Sequence, residues 1–268
     1  MGVQPHETRS RYNITLTMTT QKTALVTGAS RGIGRAIAIQ LAQAGFRVAV
    51  HYNANIAAAN DTLRELPGDG HALIAADLCY AVAAKALGED ALDVLGGRVD
   101  VLIHNAGIYE PTPILASESF GDWHGAMRRQ MQVNFWAGAE LAYQLAPAMA
   151  EAGWGRIIQI SSRAGHRGEA GFSGYGASKA AQINFVKSLA IELGKTGIGC
   201  FGIAPGWTET DMASEALAER GEQIVAEIPL GRVALPADIA ALVGFLVTDA
   251  AGYLSGNIFD VNGASYLR

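Results

Sequence analysis

The sequence predicts a doubly wound α/β domain on a parallel sheet, and three observations carry that reading. Short apolar runs are near-continuous rather than alternating, which means strands buried on both faces. Helical stretches separate them, the rhythm of βαβ units. Six or seven such units follow one another with no linker, internal repeat or low-complexity segment, so they form one domain rather than two.

The elements follow in order. A first strand at 23–27 (TALVT) passes through a glycine turn into a helix over 32–44. Strands at 46–51 (FRVAVH), 71–76 (HALIAA) and 99–104 (VDVLIH) alternate with helices at 54–66 and 79–95. A long helix over 119–151 precedes a strand at 156–161, and a helix over 174–195 precedes one at 198–203. A last helix, 236–248, leads to a strand at 257–261. Segments 105–118, 162–173 and 205–230 break the rhythm, each after a strand end. Open α/β sheets bind ligands at the carboxyl ends of their strands, so these three are expected to form one pocket rim. The last holds a short helical patch from Ala213 to Val225 and fits a mobile lid.

Composition excludes several classes. At 268 residues, with 50% hydrophobic and 17% charged residues, the chain can bury a substantial core. A net charge of −5 speaks against a nucleic-acid partner. Cys79 and Cys200 lack CxxC spacing, which suits a reducing, cytoplasmic setting. The six histidines form no ligand cluster, so no metal site is expected. No apolar run is long enough for a membrane span. Residues 1–21 are polar, rich in threonine and arginine, and lack a secretory apolar stretch. They are read as a flexible extension, with Met18 a natural start for the domain, and 22–268 as the catalytic domain.

The run Gly28-Ala29-Ser30-Arg31-Gly32-Ile33-Gly34 follows the first strand and opens the first helix. Its glycines let the backbone turn sharply against a pyrophosphate, and the helix N-terminus offers unpaired N–H groups. The spacing is TGxxxGxG, a variant of the dinucleotide loop. An acid at the end of the second strand would bind a ribose 2′-hydroxyl and repel a 2′-phosphate. This chain reads His51-Tyr52-Asn53 there, and Arg31 is placed to pair with a phosphate, so NADP(H) is expected over NAD(H). Asp77-Leu78 after the third strand is expected against the adenine, and Asn105-Ala106-Gly107 after the fourth lines the cleft.

Tyr175 and Lys179 stand four residues apart in YGASK, on one face of a helix. A free phenol titrates near pH 10, and a neighbouring ammonium should lower that value toward neutrality. Ser162, thirteen residues before Tyr175 and at a strand end, offers a hydroxyl to hold a substrate oxygen.

Taken together, TGASRGIG, NAG at 105–107, Asn134 in VNF, Ser162, YGASK and Pro205-Gly206 resemble the short-chain dehydrogenase/reductase family over about residues 22–268. The resemblance implies a Rossmann-like sheet of seven strands and a catalytic set of Asn134, Ser162, Tyr175 and Lys179. It further implies that Tyr175 moves the proton, that Lys179 also bonds the nicotinamide ribose, and that Ser162 steadies the alkoxide. Asn134, inside the long helix, would anchor a water to Lys179. Pro205, Gly206, Trp207 and Thr208 would bracket the nicotinamide. Dimers or tetramers are implied too, built on helices whose Ala137, Ala139, Phe185 and Leu189 are read as exposed.

The substrate is less legible. Reductases of 3-oxoacyl-(acyl-carrier-protein) are similar, and should carry basic residues at the active-site mouth. Residues 147–154 contain none, leaving Lys195. Arg163, His166 and Arg167 read either as a solvated or intersubunit cluster or as recognition of an anionic or hydroxyl-rich substrate. Tyr109, Phe172 and Trp207 can supply an apolar wall. A ketone, a sugar or polyol and a keto-acid all fit. A non-enzymatic dinucleotide sensor on the same fold remains the alternative class.

Overall fold

The computed structural model describes residues 21–117 and 119–268, so the expected extension falls outside the described residues except for Gln21. Seven strands form a single sheet: β1 Thr23–Val26, β2 Arg47–Tyr52, β3 Ala72–Ala75, β4 Val101–His104, β5 Gly155–Ile160, β6 Ile198–Pro205 and β7 Ile258–Val261. Their order is β3-β2-β1-β4-β5-β6-β7, and every pairing is parallel. From β1 the chain winds outward through β2 and β3, then returns to the other side of β1 as β4. That reversal opens a crevice at the carboxyl ends of β1 and β4.

The apolar runs are buried on both faces because side chains alternate across the pleat into two separate cores. Leu25 and Leu102 point into one; Ala24, Val26, Val101 and Ile103 point into the other. The first core is covered by α3 (Ala83–Val94), α5 (Ala137–Glu151) and α7 (Ser173–Leu193); the second lies beneath α1 (Gly32–Gln43) and α9 (Pro236–Leu246). Helix α2 (Ile56–Glu65) flanks β2, and Asn55 caps it by accepting from Ala58 N–H. Among the described residues, no helix is long and apolar enough to cross a membrane.

The helix expected over 119–151 is not continuous. It divides into α4 (Phe120–Met131), a π-helical turn (Gln132–Trp136) and α5. The reason lies in β4: His104 Nε2 approaches the carbonyls of Val133 and Asn134 at 3.1 and 3.2 Å. An imidazole N–H aimed at these carbonyls favours the wider turn. Gly138 makes room for it, since a Cβ there would meet the His104 ring at 2.4 Å.

The surface of these helices also differs from expectation. Ala137 is fully buried, and Ala139, Phe185 and Leu189 are half-buried, the last two packed against the first core. Large exposed apolar side chains here are instead Phe120, Trp136, Tyr143 and Ile191. The short helix α6 (Ala164–Arg167) follows β5, and α8 (Ser214–Ala226) follows β6, with a break in helical geometry at Arg220.

Candidate active site

A cleft of about 370 Å³ opens where β1, β4, β5 and β6 end. Its glycine-loop wall is built from β1 and its neighbours. Gly28 adopts φ +62° with Ala106 so close that a Cβ would sit 2.9 Å from its Cα, so only glycine fits this turn. Asn105 Nδ2 donates to the carbonyls of Thr27 and Gly28, both at 3.0 Å. Thr27 is fully buried, and its hydroxyl oxygen accepts from the N–H groups of Asn105 and Ala106, both at 3.0 Å. With both acceptor positions used, its proton goes to His104 Nδ1, 3.1 Å away. His104 is thereby neutral with Nε2 protonated, and burial holds it down to about 3. One chain of bonds therefore runs from the glycine turn through β4 to the π-helical turn.

The opposite wall carries the acid–base groups. Ser162 follows β5, and Tyr175 and Lys179 lie one turn apart on α7. Ser162 and Tyr175 both line the cleft, and the serine hydroxyl acts on the phenol by pulling its pKa down. Lys179 is buried, donates to Ile160 O at 2.9 Å, and stands 5.6 Å from the centre of the Tyr175 ring. The expected lowering of the phenol does not hold in this geometry. Burial pushes Tyr175 up to about 12, against the opposing pull of the Ser162 hydroxyl. Its side chain is half-buried and lines the cleft. Lys179 moves instead, brought down to about 7 by burial. Desolvation outweighs the attraction between the two.

Asn134 lies beneath the cleft floor rather than in its lining. Its Oδ1 accepts from Ile108 N–H at 2.8 Å, and its Nδ2 donates to Ile108 O at 3.0 Å and to Ser178 Oγ at 2.9 Å. Gly34 and Tyr52 are also outside the lining. Gly34 serves close packing, since a Cβ there would fall 2.2 Å from Gly28 O. Tyr52 is turned away by the strand's alternation, which sends His51 and Asn53 to the cleft. The lining does include Ser30, Arg31, Gly32, Ile33, Asp77, Leu78, Asn105, Ala106 and Gly107, and opposite them Pro205, Gly206 and Thr208.

A family model described as short chain dehydrogenase matches residues 22–221. The chain belongs to the short-chain dehydrogenase/reductase family. A Staphylococcus aureus 3-oxoacyl-(acyl-carrier-protein) reductase FabG is 36% identical over 248 residues, 92% of this chain and 98% of that protein. Nodulation protein G of Azospirillum brasilense is 35% identical, covering 91% and 97%. Among solved structures, a Brucella melitensis short-chain dehydrogenase/reductase described as glucose/ribitol dehydrogenase superposes with a TM-score of 0.82 at 30% identity, over 92% of this chain and 97% of its own. A 7α-hydroxysteroid dehydrogenase complexed with NADH and 7-oxo glycochenodeoxycholic acid also gives 0.82, at 34% identity over 91% and 93%.

The chain is therefore an oxidoreductase acting on a carbonyl or secondary alcohol, and the family uses a nicotinamide dinucleotide. The residues here fit that group. The first turn of α1 has neither a side-chain cap nor an acid, so its N–H groups are free to receive an anion at the glycine loop.

The rim brings several corrections. Residues 147–154 and Lys195 precede β5 and β6, so they lie at the amino edge of the sheet, away from the mouth. The absence of basic residues there says nothing about a carrier protein, and Lys195 is not a docking residue for this cleft. Arg163 is buried and donates to Ser265 Oγ at 2.7 Å, while His166 stacks on Tyr266. These two hold the C-terminal segment, and only Arg167 of the three is exposed. Tyr109 stacks flat on Phe172, centroids 4.1 Å apart, and meets Tyr175 edge-on at 4.8 Å. Its hydroxyl donates to Glu169 at 3.4 Å. Sequence reasoning singled out neither Glu169 nor the roles of Thr27, His51 and His104. The two histidines had a visible signal, each a polar residue ending an apolar run.

Proposed function

We propose that the chain reduces a carbonyl with NADPH, Tyr175 donating the proton. The observation that carries this reading is that Ser162, Tyr175 and, one helical turn on, Lys179 line one cleft together with the glycine turn. The bound dinucleotide supplies the hydride. Ser162 orients the carbonyl oxygen and donates to the developing alkoxide. Tyr175, fully protonated at neutral pH, gives its proton to that oxygen. A charged Lys179, 5.6 Å from the centre of the Tyr175 ring, favours the phenolate left behind by that transfer. Lys179 and Ser162 thus oppose the burial of Tyr175 without overcoming it. Asn134 Oδ1 and Lys179 Nζ both face Gly107, at 3.4 and 3.5 Å from where a Cβ would be. That gap suits a water returning protons to Lys179.

NADP(H) is favoured because no acid ends β2 and Arg31 stands at the cleft edge. Arg31 is paired with Asp211 at 2.9 Å, but both side chains are about two-thirds exposed or more (68% and 69%). Such a pair holds the arginine by only about 0–1 kcal/mol, less than a bidentate phosphate offers. The NADH bound by the hydroxysteroid dehydrogenase makes the comparison of cofactors the first measurement. Of substrates, 3-oxoacyl thioesters come first, from the names of the relatives, then small ketones. The exposed Trp136, Tyr143 and Ile191 support a dimer or tetramer through the π-helical turn, α5 and α7. A 28.1 kDa species in sedimentation at micromolar concentration would overturn that part. The free thiols Cys79 and Cys200 suit the cytoplasm.

The test is dinucleotide oxidation against acetoacetyl thioesters and small ketones, for wild type and Tyr175→Phe. The variant is expected to lose at least about a thousandfold in turnover while NADPH Kd stays within roughly threefold. Substantial residual turnover would remove Tyr175 from the proton-donor role.

A further inference from the structure

His51 has no assigned part in the catalytic set, yet it touches both sides of the dinucleotide wall. It sits near the end of β2, 2% exposed. Its Nδ1 accepts the N–H of Gly28 at 3.0 Å, and its Nε2 lies 3.0 Å from Ala76 O. A carbonyl accepts only, so Nε2 carries the proton and Nδ1 keeps its lone pair for Gly28. The backbone joins in, since Ala29 N–H donates to His51 O at 2.8 Å. Burial holds the ring neutral, down at about 4, so Nδ1 stays an acceptor at ordinary pH.

Gly28 is the residue of the loop with the least freedom. Its φ of +62° and its contact with Ala106 fix where it sits, and Asn105 fixes its carbonyl. Without an acceptor at His51, nothing in the bonding described would fix its N–H. Ala76, at the other end of the ring, directly precedes Asp77 and Leu78 of the cleft lining. One imidazole thus couples the glycine turn to the end of β3.

We infer that His51 is a positioning residue for the dinucleotide, acting through the N–H of Gly28 and the carbonyl of Ala76. The inference rests on the reading that the glycine loop binds a nicotinamide dinucleotide. It assigns recognition to the pyrophosphate side, common to NADPH and NADH, and not to the 2′-phosphate.

Two isosteric variants divide the ring's two bonds. In His51→Asn, the side-chain oxygen falls near the position of Nδ1 and keeps the bond to Gly28 while losing Ala76. In His51→Gln, the terminal amide falls near Nε2 and keeps Ala76 while losing Gly28. Each loses one buried hydrogen bond, so their melting temperatures should fall alike. The binding of NADPH and NADH, titrated into the full chain, should not. Kd is expected to rise about tenfold or more in His51→Gln, for both dinucleotides, and to stay within about threefold in His51→Asn. Equal Kd values in the two variants, both weakened or both like wild type, overturn the inference. A wild type that binds neither dinucleotide defeats the cofactor reading itself.

Discussion

The glycine-loop wall of the cleft and the wall beneath α8 are held by different forces. The first is a set of buried and partly buried hydrogen bonds: Thr27, His51, His104 and Asn105 each tie one strand end to the next. The second is made of side chains on loops. Tyr109 and Phe172 stack, Trp207 lies under Arg220, and Arg31 meets Asp211 in solvent. Buried polar groups of the first kind cost free energy if any partner is lost, so the wall has one arrangement. Aromatic faces and an exposed ion pair tolerate rearrangement. On the proposed function, the rigid wall is the one that meets the cofactor and the loosely tied wall the one that meets the substrate.

The largest effect should come from breaking the rigid wall at its tightest point. Gly28→Ala places a methyl 2.9 Å from Ala106 Cα, at a φ of +62°. The left-handed conformation alone costs about 1–2 kcal/mol, and the clash adds to it. Dinucleotide affinity should fall at least about a hundredfold by titration calorimetry. A variant with near-normal affinity would mean the turn relaxes, and the rigid description of this wall would be wrong.

Lys179, on α7, comes next. Burial holds it at about 7, against an ordinary 10.5. Between those values the unfolded chain carries the extra proton, so stability rises as pH climbs from about 7. Wild type is expected to gain about 2 kcal/mol on Lys179→Met between roughly pH 7 and 9 in denaturant melts. Below pH 7 both states are protonated, and the difference should level off. Turnover should move the other way, falling as the ammonium is lost. Parallel pH curves for the two proteins would place the Lys179 titration elsewhere.

This division also explains what could be read from the chain alone. The sheet, its order of elements and the glycine loop were legible because βαβ rhythm and backbone geometry depend on residue type locally. Gly28 is needed whatever its neighbours are. The interruption at Gln132–Trp136 was not legible, because its cause is His104, from a strand about thirty residues away. The same holds for Tyr175. The YGASK spacing places the ammonium correctly along α7, but only the packed structure says that desolvation outweighs it. Exposure of Ala137 failed for a related reason: apolar character along a helix does not say which face another helix covers.

On the loosely tied wall, Phe172→Ala removes the ring stacked on Tyr109. A stacked pair is worth about 0.5–1.5 kcal/mol beyond its buried area. Substrates of different size should respond unequally in kcat/KM, by up to roughly tenfold, while NADPH Kd holds. An equal loss for every substrate, with weaker NADPH binding, would join the two walls into one unit.

The smallest effect tests where the walls touch. Thr210 and Asp211, from the segment leading into α8, lie over the glycine loop: Thr210 Cγ2 is 3.2 Å from where a Gly32 Cβ would be, and Asp211 meets Arg31. Asp211→Asn leaves the packing and removes the charge. Because the pair is exposed, its loss should change stability by less than about 0.5 kcal/mol. Its effect on cofactor choice has a definite sign. Freed of a competing carboxylate, Arg31 should bind a 2′-phosphate about two- to threefold more tightly, with NADH unchanged. A rise in affinity for both dinucleotides alike would show that Asp211 acts on the loop as a whole, through the position of α8, rather than on the charge of Arg31.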